Sequence, residues 1–266
     1  MRVLITNDDG IGSSGIKALA EIASSLATSV DVWTVAPASQ RSGTSHAMTF
    51  FSPIRVSVIE HQSYAVEGNP VDCVFLALNE ILPARPDLIL SGINEGPNLG
   101  DDIYYSGTAA AAAEGALQGI PSIAVSLAVD HSIQNRGNPN WSSASRFTTL
   151  VARHVLENGI TPNCYANLNV PDLPAREVKG LRVCGLGRRR TRPHVLSRRD
   201  AHGAPYHWIS SEKLGFDNVP GSDGVLLDQG FATLTPVRLS VEDRVEVAHM
   251  SSMLTSEREI PHVENL

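Results

Sequence analysis

The chain has 266 residues, 42% of them hydrophobic and 5% aromatic, with a formal net charge of -7 and a mean hydropathy of -0.05; that is enough sequence for one large core or two small ones. The acidic balance and sparse aromatics argue against nucleic-acid binding, and no apolar run approaches the roughly 18 residues of a membrane span. With no apolar leader and no CxxC pair among Cys73, Cys164 and Cys184, a cytoplasmic protein with reduced thiols and no zinc or disulfide framework is expected.

Short apolar runs alternate with helical patterns through the first half. Val3 to Ile5, "VDVWTV" (30–35), "PDLIL" (86–90) and "SIAVSLAV" (122–129) read as buried strands. Between the first two, Ile16, Leu19, Ala20, Ala23 and Leu26 trace one helical face. Asn69, Pro70 and Asp72 have the residue types of a helix start. "SGTAAAAAEGALQG" is an alanine-rich helix stopped by Gly119 and Pro121. This βαβα order predicts a doubly wound, mostly parallel sheet with helices on both faces. Residues 38–68, including "IRVSVI", predict an inserted hairpin.

The second half is less regular. Residues 142–159 predict a helix with Phe147, Leu150, Val151 and Val155 inward and Gly159 as its stop. "CYANLNVP", "KGLRVCGLG" and "GFATLTPVRLSV" predict strands, separated by a long excursion or arm over 188–225. Residues 243–266 predict a polar, partly docked tail.

In an open α/β sheet, ligands bind outside the carboxyl ends of the strands. Those ends read "TNDDG", "APASQRSG", "SGINEGPN" and "AVS", so small, polar and acidic residues collect along one edge. Successive strand residues point to opposite faces. Asp8 and Asp9 can therefore share a ligand only if the chain turns, which Gly10 and Gly12 permit. Two carboxylates ~4 Å apart repel by about 4 kcal/mol at an effective dielectric near 20. Either one is protonated, or a hard divalent cation such as Mg²⁺ or Mn²⁺ lies between them; the alternative is that both merely cap the next helix and shape an Asx turn.

Asn94 offers a neutral carbonyl and Asn98 an amide donor in a glycine-rich segment directly after a strand, where asparagine also serves tight turns. Ser106, Gly107 and Thr108 open the alanine-rich helix; they suit either an anion at its positive end or simple capping. Ser42 is a candidate metal or phosphate contact, or a plain loop serine. His46 is an acid–base candidate or a structural histidine. The "RRRTR" run at 188–192 suits a polyanion or a solvated or intersubunit face. P-loop, GxSxG and HExxH motifs are absent from the sequence.

Together these segments resemble the SurE family, the survival-protein E group of metal-dependent 5'-nucleotidases. The matching stretches are "ITNDDG" (5–10), "AP…QRSG" (36–43), "EGNPVDCV" (67–74), "SGIN.G.N.G" (91–100), "YYSGTAAAAAEG" (104–115) and "GIPSIAVS" (119–126). Further on come "NLNVP" (167–171), "GRRR" (187–190), "YHWI" (206–209) and "ATLTPV" (232–237). The resemblance implies that Asp8, Asp9, Ser42 and Asn94 bind one divalent cation per subunit, Mg²⁺ or Mn²⁺. It implies that Asn98 with Ser106, Gly107 and Thr108 holds the substrate phosphate, and that Asp8 and Asp9 act in catalysis.

The implied fold is a single domain over 1–266, with an α/β core in 1–130. Residues 131–266 would supply a helix, strands and an arm exchanged within a homodimer or homotetramer. Asn69 stands where the family more often has threonine, and Asp101 where asparagine is usual, which bears on substrate detail. The expected activity is hydrolysis of nucleoside 5'-monophosphates, with 3'-nucleotides and short polyphosphates left open as further substrates. The rivals are a non-catalytic nucleotide sensor, and a phosphatase that works through an aspartyl-phosphate although it lacks a DxD spacing.

Overall fold

The computed structural model describes residues 1–130, 138–240 and 242–256. In chain order its strands are β1 (Arg2–Thr6), β2 (Asp31–Pro37), β3 (Val56–Glu60), β4 (Ser63–Val66), β5 (Leu88–Glu95), β6 (Ser122–Ala128), β7 (Cys164–Pro171), β8 (Leu181–Val183), β9 (Arg189–Arg199), β10 (Pro205–Phe216) and β11 (Ala232–Arg238). The helices are α1 (Ser14–Ser24), α2 (Pro70–Leu76), α3 (Gly107–Leu117), α4 (Trp141–Asn158), α5 (Asp223–Asp228) and α6 (Arg244–Ser256). One sheet runs β3-β4-β2-β1-β5-β6-β7-β11-β8, while β9 and β10 pair only with each other. Strands β4, β2, β1, β5, β6 and β7 are mutually parallel; β3 and β11 run against their neighbours β4 and β7.

Both faces of the parallel strands are covered, which is why these strands read as unbroken apolar runs rather than alternating ones. Val3 and Ile5 pack with Ile16 and Leu19 of α1 and Phe147 and Val151 of α4. Leu4, one residue out of phase, packs on the other face with Val74 of α2 and Ala111 of α3. Burying a side chain such as Leu4 or Leu19 completely contributes about 1.5–3 kcal/mol. The alanines of α3 serve close approach as much as helix propensity. Every residue from Gly107 to Ala116 is buried, and a Cβ on Gly115 would lie 2.6 Å from Ile89 Cδ1.

Several expectations change on folding. The strand expected to end at residue 90 continues to Glu95, with a register irregularity between Ser91 and Asn94; Asn94 is a strand residue, not a loop residue. Leu150, expected inward on α4, is exposed, whereas Phe147, Val151 and Val155 are buried. "KGLRVCGLG" yields only the three residues of β8. The excursion after it is an antiparallel hairpin, β9–β10, with one register irregularity between Lys213 and Phe216. The tail forms α6, exposed along its described side chains rather than docked; residues 257–266 lie outside the described residues.

Candidate active site

The order of the sheet decides where a ligand belongs. From β1 the chain crosses to β2 on one side, whereas β5 leads on to β6 and β7 on the other. Such a reversal leaves a crevice at the carboxyl ends of the two central strands. Thr6 of β1 pairs with Ser91 of β5, so Asp8, two residues further on, and Asn94, three residues further on, both rise from that crevice.

The turn that carries the acids is built by Asn7. Its Oδ1 accepts from the Gly10 amide at 3.2 Å, and its Nδ2 donates to Gly10 O and to Ser13 Oγ. Gly10 has φ 97°, in the left-handed region that glycine adopts without steric penalty. Ser13, not either aspartate, caps α1, so the reading of Asp8 and Asp9 as helix caps is overturned. Ser13 supplies that cap, and Asn7 shapes the turn before it.

Asp8 is only 3% exposed. It sits against the N-terminus of α3: Thr108 Oγ1 donates to its Oδ1, and the backbone amides of Gly107 and Thr108 favour its charged form. Burial pushes its pKa up, opposed by the Thr108 hydroxyl and these amides. The fit leaves no slack, because a Cβ on Gly107 would come within 2.8 Å of Asp8 Cβ and 3.0 Å of its Oδ2. In this structure, then, Gly107 and Thr108 at the start of α3 hold a carboxylate of the chain itself. Ser106 caps α3 by accepting from the Ala109 amide, which leaves its hydroxyl hydrogen to donate elsewhere. Asp9 is half-buried beside Asp8.

The exposed Ser42 lies in a loop pinned at several points. The Arg41 amide donates to Asp8 O at 2.6 Å, and Ser45 bonds the carbonyls of Tyr104 and Tyr105. His46 Nε2 lies 3.0 Å from Glu114 Oε2 on α3. That contact answers the question raised by His46: it tethers this loop to α3, and the His46 contact, first among the causes, holds the Glu114 carboxyl below its ordinary value. Asn94 Nδ2 donates to Gly96 O at 2.7 Å, so its carbonyl oxygen is the atom left to ligate. Asn98 is buried, and its Nδ2 donates to Ser126 Oγ at 3.0 Å, on the β6 residue that pairs with Asn94.

The donor set suits a hard cation. Among the described residues no three His, Cys, Asp or Glu side chains gather at one point, so a cation here would take two carboxylates and complete its shell with neutral oxygens and water. That is the coordination Mg²⁺ and Mn²⁺ accept. Two adjacent acids at the turn after β1, Asp8 buried and Asp9 half-buried, are the feature that a cation would satisfy.

Sequence reasoning missed two sets of supporting residues. Asn167 and Asn169 of β7 hold Asn98, and their i, i+2 spacing on one strand face was the available signal. Asp223, fully buried, accepts the amides of Gly100, Gly187 and Gly224; nothing in its local sequence marks it. The basic run is largely matched by acids of the chain: Arg189 meets Asp102 at 2.6 Å, and Arg192 meets Glu212 at 2.8 Å.

Comparison with known proteins places the chain as a whole. The family model described as Survival protein SurE matches residues 3–193. The chain belongs to the SurE family. It is 43% identical to the 5'-nucleotidase SurE of Pelobacter propionicus, over 91% of this chain and 94% of that one. It is 41% identical to the 5'-nucleotidase SurE of Azorhizobium caulinodans, over 95% and 98%. Its fold superposes on the crystal structure of the SurE protein from Aquifex aeolicus with a TM-score of 0.80 at 38% identity, covering 96% of this chain and all of that one. The SurE likeness thus spans the core and the irregular second half alike.

Proposed function

We infer that this chain is a 5'-nucleotidase, a hydrolase that converts a nucleoside 5'-monophosphate and water into nucleoside and phosphate. What carries the reading is the acid pair at the switch point of a SurE fold, in a chain whose near full-length relatives bear that name. The same crevice supports a metal-dependent reaction, with Asp8, Asp9, Ser42 and Asn94 as the residues that would hold one Mg²⁺ or Mn²⁺. When bound, such a cation supplies positive charge to the phosphoryl oxygens and acidifies water.

The rest falls to the chain. Asp8 is committed to α3, which fixes its carboxylate. Orienting the attacking water and accepting its proton is assigned to Asp9, the less buried of the two acids. The water oxygen bonds to phosphorus, the phosphorus–ester oxygen bond breaks, and the departing oxygen leaves with the electron pair and takes up a proton as the nucleoside hydroxyl. Donors not already spent within the fold, the Ser106 hydroxyl hydrogen and the second Asn98 amide hydrogen, would brace the phosphoryl oxygens. Gly107 and Thr108 act one step back, by seating Asp8.

The test is release of inorganic phosphate from adenosine and guanosine monophosphates with Mn²⁺ or Mg²⁺, then with chelator. Release that chelator abolishes is expected. Chelator-insensitive release would overturn the metal site, and binding of nucleotide without release would make the chain a sensor. A phosphorylated Asp8 trapped by acid quench would replace direct water attack with a covalent route. The same assay, extended to 3'-nucleotides and short polyphosphates, sets the substrate range. Two further readings belong here. Exposed Val195, Trp208 and Ile209 on the β9–β10 arm support a homodimer or homotetramer. Three free cysteines support a reducing, cytoplasmic setting, and no helix among the described residues is long and apolar enough to cross a membrane.

A further inference from the structure

Asn98 is held in an uncommon way. The side-chain amide of Asn169 meets both backbone groups of this one residue: Asn98 N–H donates to Asn169 Oδ1 at 2.8 Å, and Asn169 Nδ2 donates to Asn98 O at 3.0 Å. A backbone N–H only donates and a carbonyl only accepts, so the orientation of the Asn169 amide is forced by its partners. Asn167 Nδ2 adds a second donor to the same carbonyl at 2.9 Å. Asn167 and Asn169 are fully buried, as is Ser126, which receives the Asn98 side chain.

β7 thus presents two asparagines at i and i+2, and they pair with a loop residue much as a neighbouring strand would. The arrangement is costly for a core. Asn167 Oδ1 is buried with no hydrogen-bond partner among the described residues, and an apolar pair of similar size would avoid that cost. Buried polar groups kept at such a cost are found where a position must be held, not merely filled. What is held here is the peptide of Asn98, and with it the direction of the amide hydrogen that its bond to Ser126 leaves over.

We propose that Asn169, assisted by Asn167, is a positioning residue that fixes Asn98 for contact with the substrate phosphate. The proposal rests on the reading of this crevice as a phosphate-releasing site. Asn169 does not touch substrate; it acts through Asn98. Asn169→Leu keeps the number and branching of the side-chain heavy atoms and removes both bonds. It should raise KM and the inhibition constant of inorganic phosphate about tenfold or more, because misplacing a positioning group by an ångström costs up to ~100-fold. The Mn²⁺ dissociation constant, measured without substrate, should stay within about twofold, since no proposed metal ligand is moved. Asn167→Leu removes one of two donors to the carbonyl and should shift the same constants in the same direction by less.

A merely structural role predicts something else: lower melting temperature and less folded enzyme, with unchanged KM and phosphate inhibition per folded molecule. That outcome overturns the proposal. If Asn169→Leu does not fold, Asn169→Ser, whose hydroxyl is too short to span both backbone groups, replaces it under the same criteria. Hydrogen exchange of the wild-type protein supplies a measurement that needs no variant. The Asn98 amide should be protected like the core amides of β7, and exchange at the rate of an open loop would overturn the clamp. Wild-type protein that releases no phosphate from any nucleotide would instead sink the functional reading, which keeps the two failures apart.

Discussion

The crevice at the tips of β1 and β5 and the β9–β10 arm are built on opposite terms. In the crevice, Asp8, Gly10, Gly15, Asn98 and Gly107 are placed by contacts with backbone, and added atoms meet main chain or a fixed carboxylate. In the arm, most of β9 is exposed, and contact with the body concentrates at its root, where Asp223 receives Gly187 N and Gly100 N and Arg189 meets Asp102. One region is over-determined, and the other is held at one end. The contrast teaches that precision in this fold is concentrated where small residues allow elements to touch, while the arm is left with surface for another molecule.

The comparison is broken most severely at the acids themselves. Asp9→Asn should lower phosphate release about 1,000-fold or more, since it removes both the ligand's negative charge and the assigned base, while the circular dichroism spectrum is unchanged. An active variant would overturn the assignment. Gly107→Ala comes next. Its methyl would displace Asp8, and a fall in activity of about 100-fold is expected, although alanine favours a helix by about 1 kcal/mol over glycine. Activity near wild type would mean that the seat is looser than its geometry.

Gly15→Ala tests rigidity rather than chemistry. Its Cβ would lie 2.0 Å from the Ile93 carbonyl oxygen, a backbone atom that cannot swing away. A loss of about 1–3 kcal/mol in denaturant unfolding is expected, the usual cost of overpacking. Next in size is the tether of the Ser42 loop. The folded pKa of Glu114 is lowered, so its stabilising contribution is present above the ordinary value of 4.5 and is lost as pH falls through the folded value. Glu114→Gln should flatten the melting temperature against pH below 4.5 relative to wild type; parallel curves would remove the pair from the account. Smallest is the arm. Trp208→Ser, at a side chain 64% exposed, should change unfolding free energy by less than about 0.5 kcal/mol. It should nonetheless reduce the mass seen in light scattering if the arm joins copies of the chain.

The pattern of legibility follows the same divide. Strands β1, β2, β6 and β7 and helices α1, α3 and α4 stood out because their signals are local: an apolar run, a 3.6-residue period, a stop glycine at 119 or 159. The acid pair was legible because two adjacent carboxylates after a strand need a physical reason. The continuation of β5 through Asn94 was hidden by glycines that mimic a loop, and the exposure of Leu150 by a helical period that does not report where the neighbouring layer ends. Asp223 could not be read at all. Two of its three partners lie 36 and 123 residues away in sequence, and no local pattern encodes so distant a bond.

The sequence alone determined the class of fold and singled out the candidate edge and the candidate acids, because burial period, turn chemistry and charge repulsion act within a few residues. Only the tertiary structure decided that the start of α3 receives Asp8, that Ser13 and not an aspartate caps α1, and that two asparagines of β7 grip Asn98. Those outcomes depend on which strands become neighbours, and that is set by how the whole chain buries its apolar surface.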